Sequence, residues 1–341
     1  MRGPAFVLMA LAIIAGCGRS EEPSQTANRT YAAAPTPMTS AVAQRTAPGD
    51  EPAPAPVVFT PSVARHHPYS FASMIADTRF IGIDTLPKVD CQAIALSDCG
   101  NDNAAMVIEK PITPGGRVAQ ALGWIVVGEA RIGALTAVGI SRGYVHLPGT
   151  LDKQIDGNVA IFAGDRPIAI LHRKDDDGYG IGRLERLESG AVRVAPPRPL
   201  KPRGDLVLRG KRLLYRPMAA VDSYCGGRVH IPNIYGKPIL RARATLFAAG
   251  WKPDKVEHWG LDVTLERFAR AHIPEGEGCA EDSAGQCTFR YASPAGRLEV
   301  ETGFDPITVD TEPKSDWLLS YQTIWYKVAC PVRHGRRPGR R

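Results

Sequence analysis

The sequence lacks the spacings that announce a zinc site. It has no Cys-x-x-Cys pair, and no two of its eight histidines stand at helical ligand spacing. No phosphate-binding loop is visible, and no apolar run reaches the length of a membrane-spanning helix. The longest, from Ala5 to Ala15, has the length of a signal-peptide core behind the short positive start of Met1 and Arg2. Basic charge is also scarcer in the folded part than the net +7 suggests. Five arginines, Arg333, Arg336, Arg337, Arg340 and Arg341, lie in the last nine residues, and without them the net charge falls to +2. That leaves no basic face for nucleic acid, so no nucleic-acid partner is expected. Residues 331–341 read as a solvated basic tail.

What is present begins with export. The apolar run ends in Ile14-Ala15-Gly16-Cys17. This resembles the bacterial lipobox, an aliphatic residue and two small residues before a cysteine that receives a diacylglycerol and becomes the first residue after cleavage. The resemblance implies a signal peptide over residues 1–16, lipidation with palmitate-type chains at Cys17, and anchoring in a membrane of the cell envelope. Two or three acyl chains hold stably where one would not, because each buried methylene contributes about 0.8 kcal/mol. Gly18 after the cysteine, rather than Asp, implies by the bacterial sorting pattern the periplasmic side of the outer membrane. Residues 17–68 are rich in Pro, Ala, Thr and Ser, as in Ala53-Pro54-Ala55-Pro56, and cannot bury a core. They read as a disordered tether of about 50 residues, reaching at most on the order of 150 Å.

Seven cysteines leave one thiol to explain, and lipidation of Cys17 explains it. The rest fall as a close pair, Cys91 and Cys99, a second close pair, Cys279 and Cys287, and an outer pair, Cys225 and Cys330, that brackets the C-terminal segment. Three bridges in that pattern are expected, although six cysteines allow many pairings. Such bridges place the folded part in an oxidising compartment.

The fold class expected is α+β in two domains. Over residues 69–218, short strands and glycine turns predict an all-β antiparallel meander, with strands at 121–127, 134–140, 143–146, 158–162, 167–172 and 212–216 and almost no helix. Ala163-Gly164-Asp165, Ser189-Gly190 and Arg209-Gly210 sit where hairpin turns would. The stretch 181–188 suits a helix or a strand. Residues 219–330 predict a small disulfide-stapled α+β domain with two helices on an antiparallel sheet. The first helix starts at Pro238 and stops at Gly250, with Leu240, Ala244 and Phe247 on one face. The second is capped by Asp262, carries Leu265, Phe268 and His272 on a stripe and ends before Pro274. His272 is expected to be packed or to cap a helix end. Cys287, Phe289 and Tyr291 alternate along a strand, 293–296 turn, Leu298 and Val300 alternate along the return, and a last strand covers 318–328.

In this segment Ala242-Arg243, Leu246, Ala249-Gly250-Trp251, Cys279, Cys287, Phe289 and Tyr291 resemble a module of small uncharacterised bacterial envelope proteins. The resemblance covers about 100 residues and implies fold and export but no chemistry. Ile231-Pro232-Asn233-Ile234-Tyr235-Gly236 and the helix after it also resemble the opening of PASTA modules, which implies a cell-wall-binding alternative with peptidoglycan as partner. The cysteine loop has no place in that pattern.

Candidate chemistry is sparse. Gly139-Ile140-Ser141-Arg142-Gly143 matches the elbow of serine hydrolases, which needs a strand before the serine and a helix after it, but Tyr144-Val145-His146 continues as a strand. Asp175-Asp176-Asp177-Gly178 suggests a calcium loop but puts Arg173 and Leu184 at the end ligand positions, so a turn fits better. Glu275, Glu277, Glu281 and Asp282 crowd around Cys279, open to either a surface or an acid-base role. Trp251 and Trp259 suit core packing or ligand stacking. No catalytic residue, metal or cofactor is assigned. A ligand surface of Trp251, Trp259, Glu275 and Glu281 is kept, with an envelope hydrolase using Ser141 or the acidic loop near Cys279 as the enzymatic alternative. The expectation is a lipid-anchored envelope protein that acts by binding or structural association, with peptidoglycan or another envelope protein as partner.

Overall fold

The computed structural model describes residues 59, 61, 67–89, 110–145, 153–173, 180–196, 200–255, 263–279, 286–303 and 321–331. All of them belong to one compact unit, Pro54–Arg341. The chain is mostly β, with several antiparallel sheets and three helices among the described residues.

The first strands are β1 (Ser70–Ser73) and β2 (Thr78–Gly82), followed by helix α1 (Pro114–Ala121). Then come β3 (Ile125–Ile132), β4 (Leu135–Ser141), β5 (Gly143–Val145), β6 (Lys153–Ile155), β7 (Asn158–Ala163) and β8 (Arg166–Arg173). A second group is β9 (Arg183–Arg186), β10 (Val192–Ala195), β11 (Gly204–Arg209) and β12 (Arg212–Arg216). Two five-stranded sheets result, in the orders β2-β8-β7-β4-β3 and β1-β12-β11-β10-β9, and β5 pairs with β6 apart from them. The hairpin turns at Gly190 (φ 82°) and Gly210 (φ 59°) take left-handed backbone, which glycine adopts without steric cost.

The expected simple meander does not form. β1 pairs in parallel with β12, far along the chain, while β2 joins the other sheet beside β8. The reason lies in the shared core. Leu135, Ala137, Val159, Ile161 and Leu171 of one sheet face Val192, Val194, Leu206, Leu213 and Tyr215 of the other. Neighbouring strands β1 and β2 therefore serve opposite sheets, and β3 lies against β9 at the other edge. The sandwich is closed along both sides.

The central strands β4, β7 and β8 are buried on both faces, which explains their unbroken apolar runs. Val138, Ile140, Ala160, Phe162 and Ile170 face outward into a second core under α1, Trp124 and residues 83–89. Helix α1, absent from the sequence-based expectation, is built by local chemistry. The Thr113 hydroxyl accepts from the Gly116 amide at 3.0 Å, and Pro114 opens the first turn. Glu129 on β3 in turn accepts from the amides of Ile112 and Thr113, so the helix start is fixed by a strand it packs upon.

After residue 216 come β13 (Val221–Tyr224), β14 (Val229–Pro232), α2 (Ile239–Ala248), β15 (Lys252–Pro253), α3 (Val263–Arg270), β16 (Gly276–Cys279), β17 (Cys287–Ser293), β18 (Gly296–Gly303) and β19 (Gln322–Ala329). The last five strands form a sheet in the order β15-β17-β18-β19, with β16 also on β17. Cys287, Phe289, Tyr291, Leu298 and Val300 are buried on one face, the alternation read in the sequence. They meet Ile239, Ala242 and Leu246 of α2 and Phe268 of α3.

One detail of the helices corrects the sequence reading and another decides between its alternatives. The face of α2 that is buried is Ile239, Ala242 and Leu246, while Leu240 and Phe247 stay exposed. Both stripes are apolar, so periodicity alone could not choose between them. His272 is exposed rather than packed and takes left-handed backbone (φ 56°), so it closes the end of α3, the second of its two expected roles, and the buried residue there is Ile273. Asp262 and the side chain of Leu265 lie outside the described residues.

Candidate functional site

Two disulfides are present among the described residues. Cys225–Cys330 ties the turn after β13 to the end of β19 across a separation of 105 residues, and Cys279–Cys287 links directly opposed positions of β16 and β17. Cys91 and Cys99 lie outside the described residues, as do Cys17, Trp259, Glu281, the 331–341 tail beyond Pro331 and the aspartates at 175–177.

Of the remaining candidates, Ser141, Trp251 and Glu275 lie in the interior, Glu277 is half-buried, and Asp282 lies outside the described residues. Ser141 ends β4 with no exposed surface, and its hydroxyl lies 2.9 Å from the carbonyl oxygens of both Gly143 and Ile155. The chain then enters β5 rather than a helix, so the serine closes a strand junction and no elbow forms. Trp251 is buried in the C-terminal core and donates its indole N–H to the His230 carbonyl at 3.3 Å. Glu275 is fully buried, 2.5 Å from the Arg243 guanidinium, with Tyr291 beside it. Burial, and then the Glu275 carboxylate, push the Tyr291 phenol well above its ordinary value. Trp251 and Glu275 are thus buried core groups, Trp251 in the packing role that was one of its two expected readings.

A buried polar cluster centres on a residue the sequence reading passed over. Arg193 sits on β10 between Val192 and Val194, whose side chains enter the sandwich core. Strand alternation therefore turns Arg193 to the outer face, where it meets the C-terminal segment. Its Nε and Nη2 donate to Asp205 on β11 at 3.0 and 3.3 Å, and its Nη1 and Nη2 donate to Asp222 on β13 at 2.6 and 3.0 Å. Tyr326 donates to Asp222, and the Arg193 fork also reaches the hydroxyls of Tyr235 and Tyr326. Burial disfavours the charged guanidinium, but Asp222, Tyr235 and Asp205 hold it and leave its pKa raised. Burial likewise drives the phenols of Tyr224, Tyr235 and Tyr326 upward. Nearby, the Arg183 guanidinium stacks 3.5 Å over Trp325, and Glu188 accepts from the amides of Cys225 and Gly226. This is a charged and aromatic seam joining the sandwich to the C-terminal sheet. Arg193, Asp205, Asp222, Tyr235 and Tyr326 are engaged by one another, so the cluster can hold the two parts together.

An open cavity of about 300 Å³ does exist beside the short disulfide, lined by Glu277, Gly278, Cys279, Gln286, Cys287, Thr288 and Glu301. Glu277 pairs with Arg290 at 2.5 Å. Among the described residues, no group of three or more His, Cys, Asp and Glu side chains is placed to hold a metal ion.

Comparison with family models, characterised proteins and solved structures finds no match for this chain.

Proposed function

We propose that the protein is a lipid-anchored component of the bacterial cell envelope that acts by binding or structural association, held by acyl chains on Cys17 and displayed on its Pro/Ala-rich tether. The observation that carries this reading is the division of the seven cysteines. The lipobox cysteine stands alone near the start, and four of the other six are joined in the folded part. The 219–330 segment is read as an α+β domain, two helices over an antiparallel sheet, stapled for a compartment without thiol buffering. Its partner is another envelope protein or peptidoglycan, reached through the tether from the periplasmic side of the outer membrane. The engagement of Ser141, Glu275 and the Arg193 cluster in internal hydrogen bonds favours association over hydrolysis.

The test is metabolic labelling with an alkyne-bearing fatty acid in the native host. Label is expected on the wild-type protein and lost in Cys17→Ser, which should also leave the membrane fraction. Unlabelled wild-type protein recovered from the cell interior would overturn the assignment.

A further inference from the structure

The two disulfides sit in unlike surroundings. Cys225 is buried, and its bridge fastens segments 105 residues apart, so opening it loosens the whole C-terminal part. Cys279–Cys287 spans a sequence separation of only 8, between strands that are already paired, and both cysteines line the open cavity. Within that pair the exposure is asymmetric, with Cys287 fully buried and Cys279 half-buried. The β16–β17 pairing continues past the bridge to Gly276 and Phe289, and Phe289 packs on Phe268 with ring centroids 5.2 Å apart. The strands therefore have a reason to stay together without the sulfur link.

We propose that Cys279–Cys287 is an exchange-competent disulfide, the site at which a thiol reductant forms a mixed disulfide with this protein. The thiolate enters the cavity and attacks the more exposed Sγ of Cys279. A new sulfur–sulfur bond forms there, the Cys279–Cys287 bond breaks, and Cys287 leaves as a thiolate that takes a proton from water. A second thiol then attacks the attached sulfur, releasing the oxidised reductant as its own disulfide and leaving both cysteines as thiols. Two electrons pass from two thiols to one bridge.

Glu277, Gln286, Thr288 and Glu301 line the cavity beside the two cysteines, and Glu277 is paired with Arg290, so the bridge is met by a small polar thiol entering from solvent. This holds whether or not Cys17 is acylated.

The experiment uses the oxidised full-length protein with cysteamine or 2-mercaptoethanesulfonate, matched in thiolate concentration, followed by alkylation and mass mapping over time. Cys279 and Cys287 should open at least about tenfold sooner than Cys225 and Cys330, with near-UV circular dichroism unchanged. The first adduct should lie on Cys279. Simultaneous opening of both bridges, or a first adduct on Cys287, overturns the proposal.

Discussion

Arg193 on β10 and Asp222 on β13 are joined by two hydrogen bonds of 2.6 and 3.0 Å, in a place where the arginine has no exposed side-chain surface. A buried guanidinium is tolerated only when its donors are met, and here two carboxylates meet it from opposite sides of the seam. The pairing is local in space and 29 residues apart in sequence, so it fixes how β13 lies on the sandwich.

Arg193→Met should therefore cost about 3–5 kcal/mol, because it strands Asp205 and Asp222 without a cation. Urea unfolding should show a lower midpoint at similar slope, and adding Asp222→Asn should recover part of the loss. A single variant within about 0.5 kcal/mol of wild type would contradict the role given to the cluster.

The phenols of Tyr215, Tyr224, Tyr235, Tyr291 and Tyr326 are all raised, chiefly by burial. In the unfolded chain they ionise near pH 10. Above that pH the unfolded state releases protons that the folded state keeps, so stability is complete below about pH 10 and declines as pH rises further. Absorbance titration at 295 nm should show these five of the ten tyrosines ionising only together with unfolding.

The long bridge should contribute more than the short one. In the chain-entropy picture, replacing Cys225 and Cys330 by Ala costs about 4–5 kcal/mol, and replacing Cys279 and Cys287 costs about 2.5 kcal/mol. Thermal unfolding of the two double variants should rank them in that order.

Gly139→Ala probes the closure of the sandwich. A Cβ there would lie 1.7 Å from the Gly182 carbonyl oxygen, so backbone on one side must move. A loss of about 3 kcal/mol or more is expected by chemical denaturation. A neutral substitution would mean that the 180–182 segment does not cross β4 this closely.

Much of the strand pattern was legible because its signals are local. β7, β8 and β12 fall where apolar runs and glycine turns placed them, and the alternation of Cys287, Phe289 and Tyr291 gave the face of β17. What escaped depends on contacts distant in sequence. The pairing of β1 with β12 is invisible until both sheets exist. Helix α1 carried a readable cue in Thr113-Pro114, but the strand expected at 121–127 overlaps it only at Ala121 and 114–120 show no helical periodicity strong enough to predict it. The buried stripe of α2 is chosen by the sheet beneath it, against an equally apolar alternative.

The candidate site was less legible. Arg193 looks in sequence like a solvated cation in a β-rich stretch, and its flanking valines are the only cue that it sits opposite a core face. Glu275 stands out in sequence as a carboxylate near the cysteine loop, yet its partner Arg243 lies 32 residues earlier and draws it inward, while Trp251 takes the core-packing role expected of it and donates to the His230 carbonyl 21 residues earlier.

The most direct test of the envelope assignment is intact and peptide mass spectrometry of the protein extracted from its native membrane without reductant. The expected result is a chain that begins at a diacylglyceryl-modified Cys17, with Cys225–Cys330 and Cys279–Cys287 recovered as linked peptides. An unmodified chain beginning at Met1, with those four cysteines present as free thiols, would contradict it.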